Sequence, residues 1–249
     1  MGPSRLALRL FTCAILACGV AAADTIEATG VNTSLGEYNV WINENGTDVN
    51  TYFAGVIDIQ LTNADGTVDR DTLCVDLFTD IYLGETYGTT IFQPSQLSPA
   101  STVAALQRIA WLENNVLLPA TNPGDPSSLP TVDWASTPAQ GAGLQLAIWD
   151  IEVDGGDGFS SGEVQAGVSN PTDPTVLAWA ETYEAVSLGQ LSDLAFVYEN
   201  VDLSSGSPAQ TLEGPEFLDG GPQPVPESST FVLAGIALLA LRQTSRRKA

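Results

Sequence analysis

Residues 54–78 read AGVIDIQLTNADGTVDRDTLCVDLF. Ile57, Ile59 and Leu61 alternate with Asp58 and Gln60, and Asn63-Ala64-Asp65-Gly66 then supplies a turn. Beyond it, Leu73, Val75 and Leu77 alternate with Thr72, Cys74 and Asp76. Alternation with period two on both sides of an Asn/Asp/Gly turn predicts an antiparallel β-hairpin. The same geometry puts Cys74 on the face opposite Leu73, Val75 and Leu77, out of line with the obvious core residues.

Downstream of the hairpin the period changes. Ser98-Pro99, Thr137-Pro138 and Asp173-Pro174 each offer a capping side chain followed by proline at the first helical position, which predicts three helices. The first carries Ala105, Ile109, Leu112 and Val116 on one stripe, and the third carries Val176, Trp179, Tyr183 and Val186. In the second, Leu144, Ala147, Ile148 and Ile151 form the apolar face, while Gly141 and Gly143 permit close approach of a neighbouring backbone. Residues 194–201, LAFVYENV, read as a closing strand. Residues 204–224, rich in Gly, Pro and Ser, read as a disordered or extended linker. The fold class expected is α+β: an antiparallel β-barrel or sandwich with a helical insert, plus a C-terminal hydrophobic sorting helix.

Both ends of the 249-residue chain carry targeting patterns. Arg5 and Arg9, an apolar core from Leu10 to Val20 and the small residues Ala21-Ala22-Ala23 predict a signal peptide over residues 1–23, cleaved between Ala23 and Asp24. The apolar core is too short to span a membrane. Ile15-Leu16-Ala17-Cys18 loosely resembles a lipobox, but fits that pattern poorly. At the other end, an apolar run from Phe231 to Leu241 precedes Arg242, Arg246, Arg247 and Lys248, a basic cluster that orients the tail inward. The run is shorter than the roughly 17–25 residues of a full span. Val225-Pro226-Glu227, then Ser-Thr, a short apolar helix and an arginine cluster resemble the PEP-CTERM sorting signal, with Ser228 departing from the usual second proline. That resemblance implies an exosortase-type processing enzyme as partner. It also implies a Gram-negative bacterium, transient anchoring of residues 225–249 in the inner membrane, and a final place at the cell surface or in the extracellular matrix.

The expected mature domain, residues 24–203, and its linker are strongly acidic. Of the 30 acidic residues only Glu227 lies outside residues 24–226, and of the eight basic ones only Arg70 and Arg108 lie inside. Such a surface repels phosphate backbones and excludes nucleic acid as a natural partner. The chain has no histidine, which removes Ser-His-Asp and Cys-His catalysis and histidine metal sites. It is expected not to be an enzyme. Cys13 and Cys18 leave with the signal peptide, so Cys74 stands alone, either as a small buried hydrophobe or as a reactive thiol.

Gln145 lies inside the apolar run GAGLQLAIWDI of residues 141–151, one helical step from the Leu144 stripe and beside Ile148 and Trp149. Two readings stand side by side. One is an amide hydrogen-bonded at the edge of a helix. In the other, the Cys74 thiolate attacks the Gln145 carboxamide and expels ammonia, leaving an internal thioester. That bond survives only where apolar groups exclude water. Leu-Cys-Val around Cys74 and Leu-Gln-Leu-Ala-Ile-Trp around Gln145 resemble the two signatures of bacterial thioester domains, over residues 51–163. The resemblance implies Cys74 as nucleophile and acyl carrier, Gln145 as acyl donor, and shielding by Ile148 and Trp149. The sorting signal is the departure, because that family is best known on Gram-positive adhesins. Asp150-x-Glu152-x-Asp154-Gly155 resembles the start of a calcium loop, yet Ser161 stands where the closing glutamate belongs, so a solvated acidic turn is the plainer account. No metal or cofactor is expected, with Ca2+ the one candidate ion. Two functions follow from these readings. The first is covalent attachment, through the thioester, to amines or hydroxyls of a surface or matrix polymer. The second is a non-covalent exopolysaccharide- or matrix-associated protein with an inactive thioester fold.

Overall fold

The structure is a computed structural model that describes residues 24–38, 40–44, 47–51, 53–117, 135–166 and 172–215. In chain order its strands are β1 (Thr25–Glu37), β2 (Trp41–Glu44), β3 (Thr47–Asn50), β4 (Ala54–Asn63), β5 (Gly66–Cys74) and β6 (Thr86–Phe92). Helices α1 (Ala100–Leu112) and α2 (Pro138–Val153), strand β7 (Val164–Ala166), helix α3 (Pro174–Ser187), and strands β8 (Ala195–Asp202) and β9 (Leu212–Pro215) follow.

The hairpin forms where alternation predicts it. β4 and β5 pair antiparallel from Ile57↔Thr72 to Asn63↔Gly66. In the turn the Asp65 N–H donates to Asn63 Oδ1 at 2.9 Å, the local bond that makes asparagine a turn former. The hairpin is one part of a closed antiparallel barrel in the order β1-β4-β5-β9-β8-β6, with β6 returning to β1 through Thr25↔Gly88. Closure leaves the barrel itself without a free edge strand among the described residues. A separate small sheet, β3-β2-β7, pairs Ile42 with Ala166.

Residues 204–224 do not all form the linker expected of them. Ala209 to Pro215 are largely buried, and β9 seals the barrel by pairing Leu212 with both Cys74 and Tyr198. The glycine and prolines of this stretch suggest a linker, but a four-residue strand between two longer ones takes its order from its neighbours rather than from its own propensity. The signal peptide before Asp24, the end of the linker, and the sorting residues Pro226, Glu227, Arg242, Arg246 and Arg247 lie outside the described residues. Among the described residues no helix is long and apolar enough to cross a membrane.

The helices begin at two of the three expected caps. Thr137 Oγ1 accepts the Gln140 N–H at 3.3 Å, and an Asp173 oxygen accepts the Thr175 N–H at 2.7 Å. The first helix starts later than expected: Pro99 occupies its cap position and Ser98 caps nothing. Helix α2 departs most from expectation. It has no single apolar stripe, because every residue from Gln140 to Ile151 is buried. It packs across β1 and β4 on one side and against α3 on another. Its two glycines make that possible. A Cβ at Gly141 would overlap the backbone of Leu35 in β1, and one at Gly143 would meet Trp179 Cβ at 2.7 Å and Val176 O at 2.8 Å in α3.

Two carboxyl groups sit in this core without compensation. Glu113, in the π-helical turn (Glu113–Leu117) that ends α1, and Glu213 on β9 are fully buried, and none of their carboxyl oxygens has a hydrogen-bond partner among the described residues. Burial raises the pKa of both well above the usual range; for Glu213 the charge of Glu113 adds to the effect. A folded-state pKa raised above the unfolded value means that folding favours the protonated acid. This contribution is intact at acid pH and is lost as pH rises past the ordinary carboxylate range. Thermal unfolding should therefore show declining stability from about pH 5 upward. Glu213→Gln should flatten that decline and raise stability at pH 8 by about 1 kcal/mol or more.

Candidate functional site

Cys74 is the last residue of β5, at the point where the ladder to β4 stops. The pairing runs only as far as Ile57↔Thr72; continued, it would set Gly55 opposite Cys74, but the ladder has ended there and Gly55 keeps only its partner on the other edge of β4, Gly36 of β1. The gap is filled from α2. The Cys74 N–H donates to Gln145 Oε1 at 3.0 Å, and Gln145 Nε2 donates to the Cys74 carbonyl at 2.6 Å. A side-chain amide carries the donor and acceptor of a peptide group, so Gln145 completes the strand as a missing ladder residue would. On its other edge the strand is held by β9, with the Val75 N–H donating to Thr211 O at 3.1 Å.

The face assignment of Cys74 holds as geometry, but it does not imply exposure. Thr72, Leu73, Cys74 and Val75 are all buried, because both faces of this strand end are covered. Gln145 is completely buried. Cys74 borders a cavity of about 300 Å3 that also reaches Tyr38, Phe53, Ile81, Leu83 and Trp149. Tyr38 and Phe53 meet edge to face at 5.2 Å, and Tyr38 and Leu83 are more than half exposed, so the cavity has an aromatic and aliphatic rim toward solvent. Asp80 and Gln210 supply its polar side. Cys74 thus lies between a buried amide and an apolar chamber.

Electrostatics hold the thiol neutral. Burial first, then the negative charges of Asp76 and Asp80, raise the Cys74 pKa far above that of an ordinary cysteine. Asp76 itself is pinned in place: its carboxylate accepts the Phe78 N–H at 2.8 Å and the Thr79 hydroxyl at 2.5 Å. Such a cysteine is a poor nucleophile toward solutes and a poor leaving group.

The other residues singled out by sequence divide. Trp149 is 3% exposed and borders the cavity, and its indole N–H has no hydrogen-bond partner. Ile148 is fully buried in the core and does not border the cavity. The calcium-loop register is not formed, because α2 continues through Val153 and spreads Asp150 and Glu152 around the helix. Asp150, Asp154 and Asp157 come together instead, one carboxylate oxygen of each within 4.8 Å of the others, and Glu152 is not among them. The cavity wall contributed by Tyr38, Phe53, Ile81 and Leu83 was invisible to pattern reading. These residues sit in loops and strand ends without periodicity, and only the clustering of aromatics on either side of β2 and β3 hints at them.

Because the partner of Gln145 is the main chain of Cys74, removing the thiol leaves both hydrogen bonds in place. In a Cys74→Ala background, where no covalent link can form, Gln145→Ala should still lower the unfolding free energy by about 2–4 kcal/mol, since it strands a buried N–H and C=O. Chemical denaturation of the single and double variants measures this.

No family model matches the chain. No curated protein matches it either. Among solved structures, the N-terminal domain of the Streptococcus pyogenes pilus tip adhesin Cpa is similar at a TM-score of 0.39 and 13% identity, over 77% of this chain and 99% of that one.

Proposed function

We propose that this chain is an exported cell-surface protein that bonds covalently to amines or hydroxyls of a partner polymer through an internal Cys74–Gln145 thioester. The observation that carries this reading is the two-way pairing of the Gln145 carboxamide with the Cys74 backbone beside an apolar cavity. It fixes the acyl carbon of Gln145 next to the residue that bears the thiol, with the carbonyl oxygen already receiving an N–H. That N–H stabilises the oxyanion of a tetrahedral intermediate.

In the forming step, Cys74 Sγ attacks Gln145 Cδ. The C–N bond to Nε2 breaks, and the thiol proton departs with that nitrogen as ammonia. No net charge is created, which suits a site that burial keeps free of thiolate. In the using step, an amine enters the cavity and attacks the same carbon. An amide forms, the C–S bond breaks, and the displaced proton restores the thiol. A hydroxyl gives an ester by the same route. The Gln145 acyl group is spent once per molecule, so the protein is an attachment device and not an enzyme. The absence of lysine between residues 24 and 226 leaves few internal amines to consume the bond.

The surrounding assignments belong to the same proposal. Residues 1–23 direct export and residues 225–249 are the sorting signal recognised by an exosortase-type enzyme, so that the domain reaches the surface or matrix of a Gram-negative bacterium. In this reading membrane contact is made through the apolar run of residues 231–241. The acidic body disfavours nucleic acid.

A second reading is favoured by the neutrality of the thiol and by the completeness of the amide's hydrogen bonding. In it, Gln145 is a structural filler for the β5 ladder, and the protein associates non-covalently with an exopolysaccharide matrix. Intact mass separates the two. The covalent reading expects freshly purified protein to weigh one ammonia less than its sequence. Methylamine should then add as a stable amide on Gln145, and Cys74→Ala should restore the full mass and abolish the adduct. Full sequence mass together with stoichiometric thiol titration of the folded protein leaves only the second reading.

A further inference from the structure

The acidic turn that follows α2 is better built than its sequence suggests. Asp150 and Asp154 are one helical turn apart at the C-terminal end of α2, where the helix dipole is negative. Asp157 joins them from the loop, one oxygen of each within 4.8 Å of the others. Three carboxylates at a negative helix end repel one another unless a cation compensates them.

An independent observation comes from α3. Glu184 is 8% exposed, and its Oε1 is buried with no hydrogen-bond partner. Asp150 is fully buried, and its Oδ1 is likewise without a partner. The two carboxyl groups lie within hydrogen-bonding range of each other. Two buried acid groups that face each other need either a shared proton or a cation. The guanidinium of Arg108 is near enough for its charge to offset part of that of both acids, but its hydrogen bonds go elsewhere. Its Nε donates to Ser187 Oγ at 2.9 Å, one terminal nitrogen to Gly155 O at 2.9 Å, and the other to the main-chain carbonyl of Glu184 at 2.8 Å. Backbone amides already orient the acids: Gly158 N–H donates to Asp150 Oδ2 at 3.2 Å, and the N–H groups of Glu163 and Val164 both donate to Asp154 Oδ2 at 2.7 Å.

We propose that Asp150, Asp154 and Asp157, with Glu184 on the buried side, form a calcium site. All four offer oxygen, and no nitrogen or sulfur ligand is present among them, which selects a hard cation over a transition metal. Calcium bonds of 2.3–2.6 Å place opposite ligands roughly 4.6–5.2 Å apart, the scale of this cluster. The ion would tie the end of α2 to α3 and to the 157–164 loop. It would therefore brace the helix that carries Gln145 whether or not a thioester forms.

The test uses the purified mature protein, freed of metal with a chelator, in titrations with CaCl2 followed by calorimetry and thermal unfolding. NaCl at matched ionic strength controls for screening of the acidic surface. The expected result is one saturable ion per chain with a Kd of roughly 10⁻⁴–10⁻³ M, as in extracellular modules, and a rise in Tm that NaCl does not reproduce. Asp157→Asn, on an exposed side chain, should weaken binding at least tenfold without lowering the Tm of the calcium-free protein. Glu184→Gln, which supplies an amide donor to Asp150, should raise the calcium-free Tm and shrink the calcium-dependent rise. Absence of saturable heat, a Tm rise matched by NaCl, or unchanged binding by Asp157→Asn would each overturn the site.

Discussion

The reciprocal hydrogen bonds between the Gln145 carboxamide and the Cys74 main chain are the constraint on which the rest of the molecule depends. They join a barrel strand to the central helix at the one point where β4 has left β5. To place a side-chain amide there, α2 must lie directly on the sheet. That requires glycine at residues 141 and 143, burial of the whole helix surface from Gln140 to Ile151, and α3 as a cover for its far side. The hydrophobic content of residues 141–151 is thus a consequence of where Gln145 has to be.

That arrangement also accounts for the chemistry of the cysteine. A thiol covered on both faces and flanked by Asp76 and Asp80 is kept protonated. The same cover would protect a thioester from water, and the same electrostatics would oppose its loss as thiolate. Inertness and storage are then one property seen from two sides: the surroundings that make Cys74 a weak nucleophile toward strangers would preserve a bond already formed with its neighbour.

Legibility in the sequence followed the strength of local signals. The hairpin was readable because alternation and turn chemistry agree over residues 54–78. Thr137 and Asp173 were readable as caps because each precedes a proline at the first helical position. The face of α2 was not, since a helix buried all round has no periodic stripe to detect. β9 was hidden by its glycine and proline, and it is a strand only because β5 and β8 present edges to it. At the site, the pairing of residues 74 and 145 came from residue types and a family resemblance. The cavity beside them came from loops, which carry no period. The acidic turn was legible as acidic, but the regrouping of Asp150 with Asp157 and Glu184 needed the packing of α2 on α3.

The closing strand has a consequence for assembly. Leu212 lies beside Cys74 although the whole helical insert and β8 separate them in the chain. Contacts of such sequence separation are formed late, because the entropy of closing the loop must be met before the pairing rewards it. A chain that emerges amino end first therefore cannot seal the edge of β5 until nearly all of residues 24–215 has been delivered. The cover that β9 lays over Cys74 is thus among the last parts of the fold to be completed.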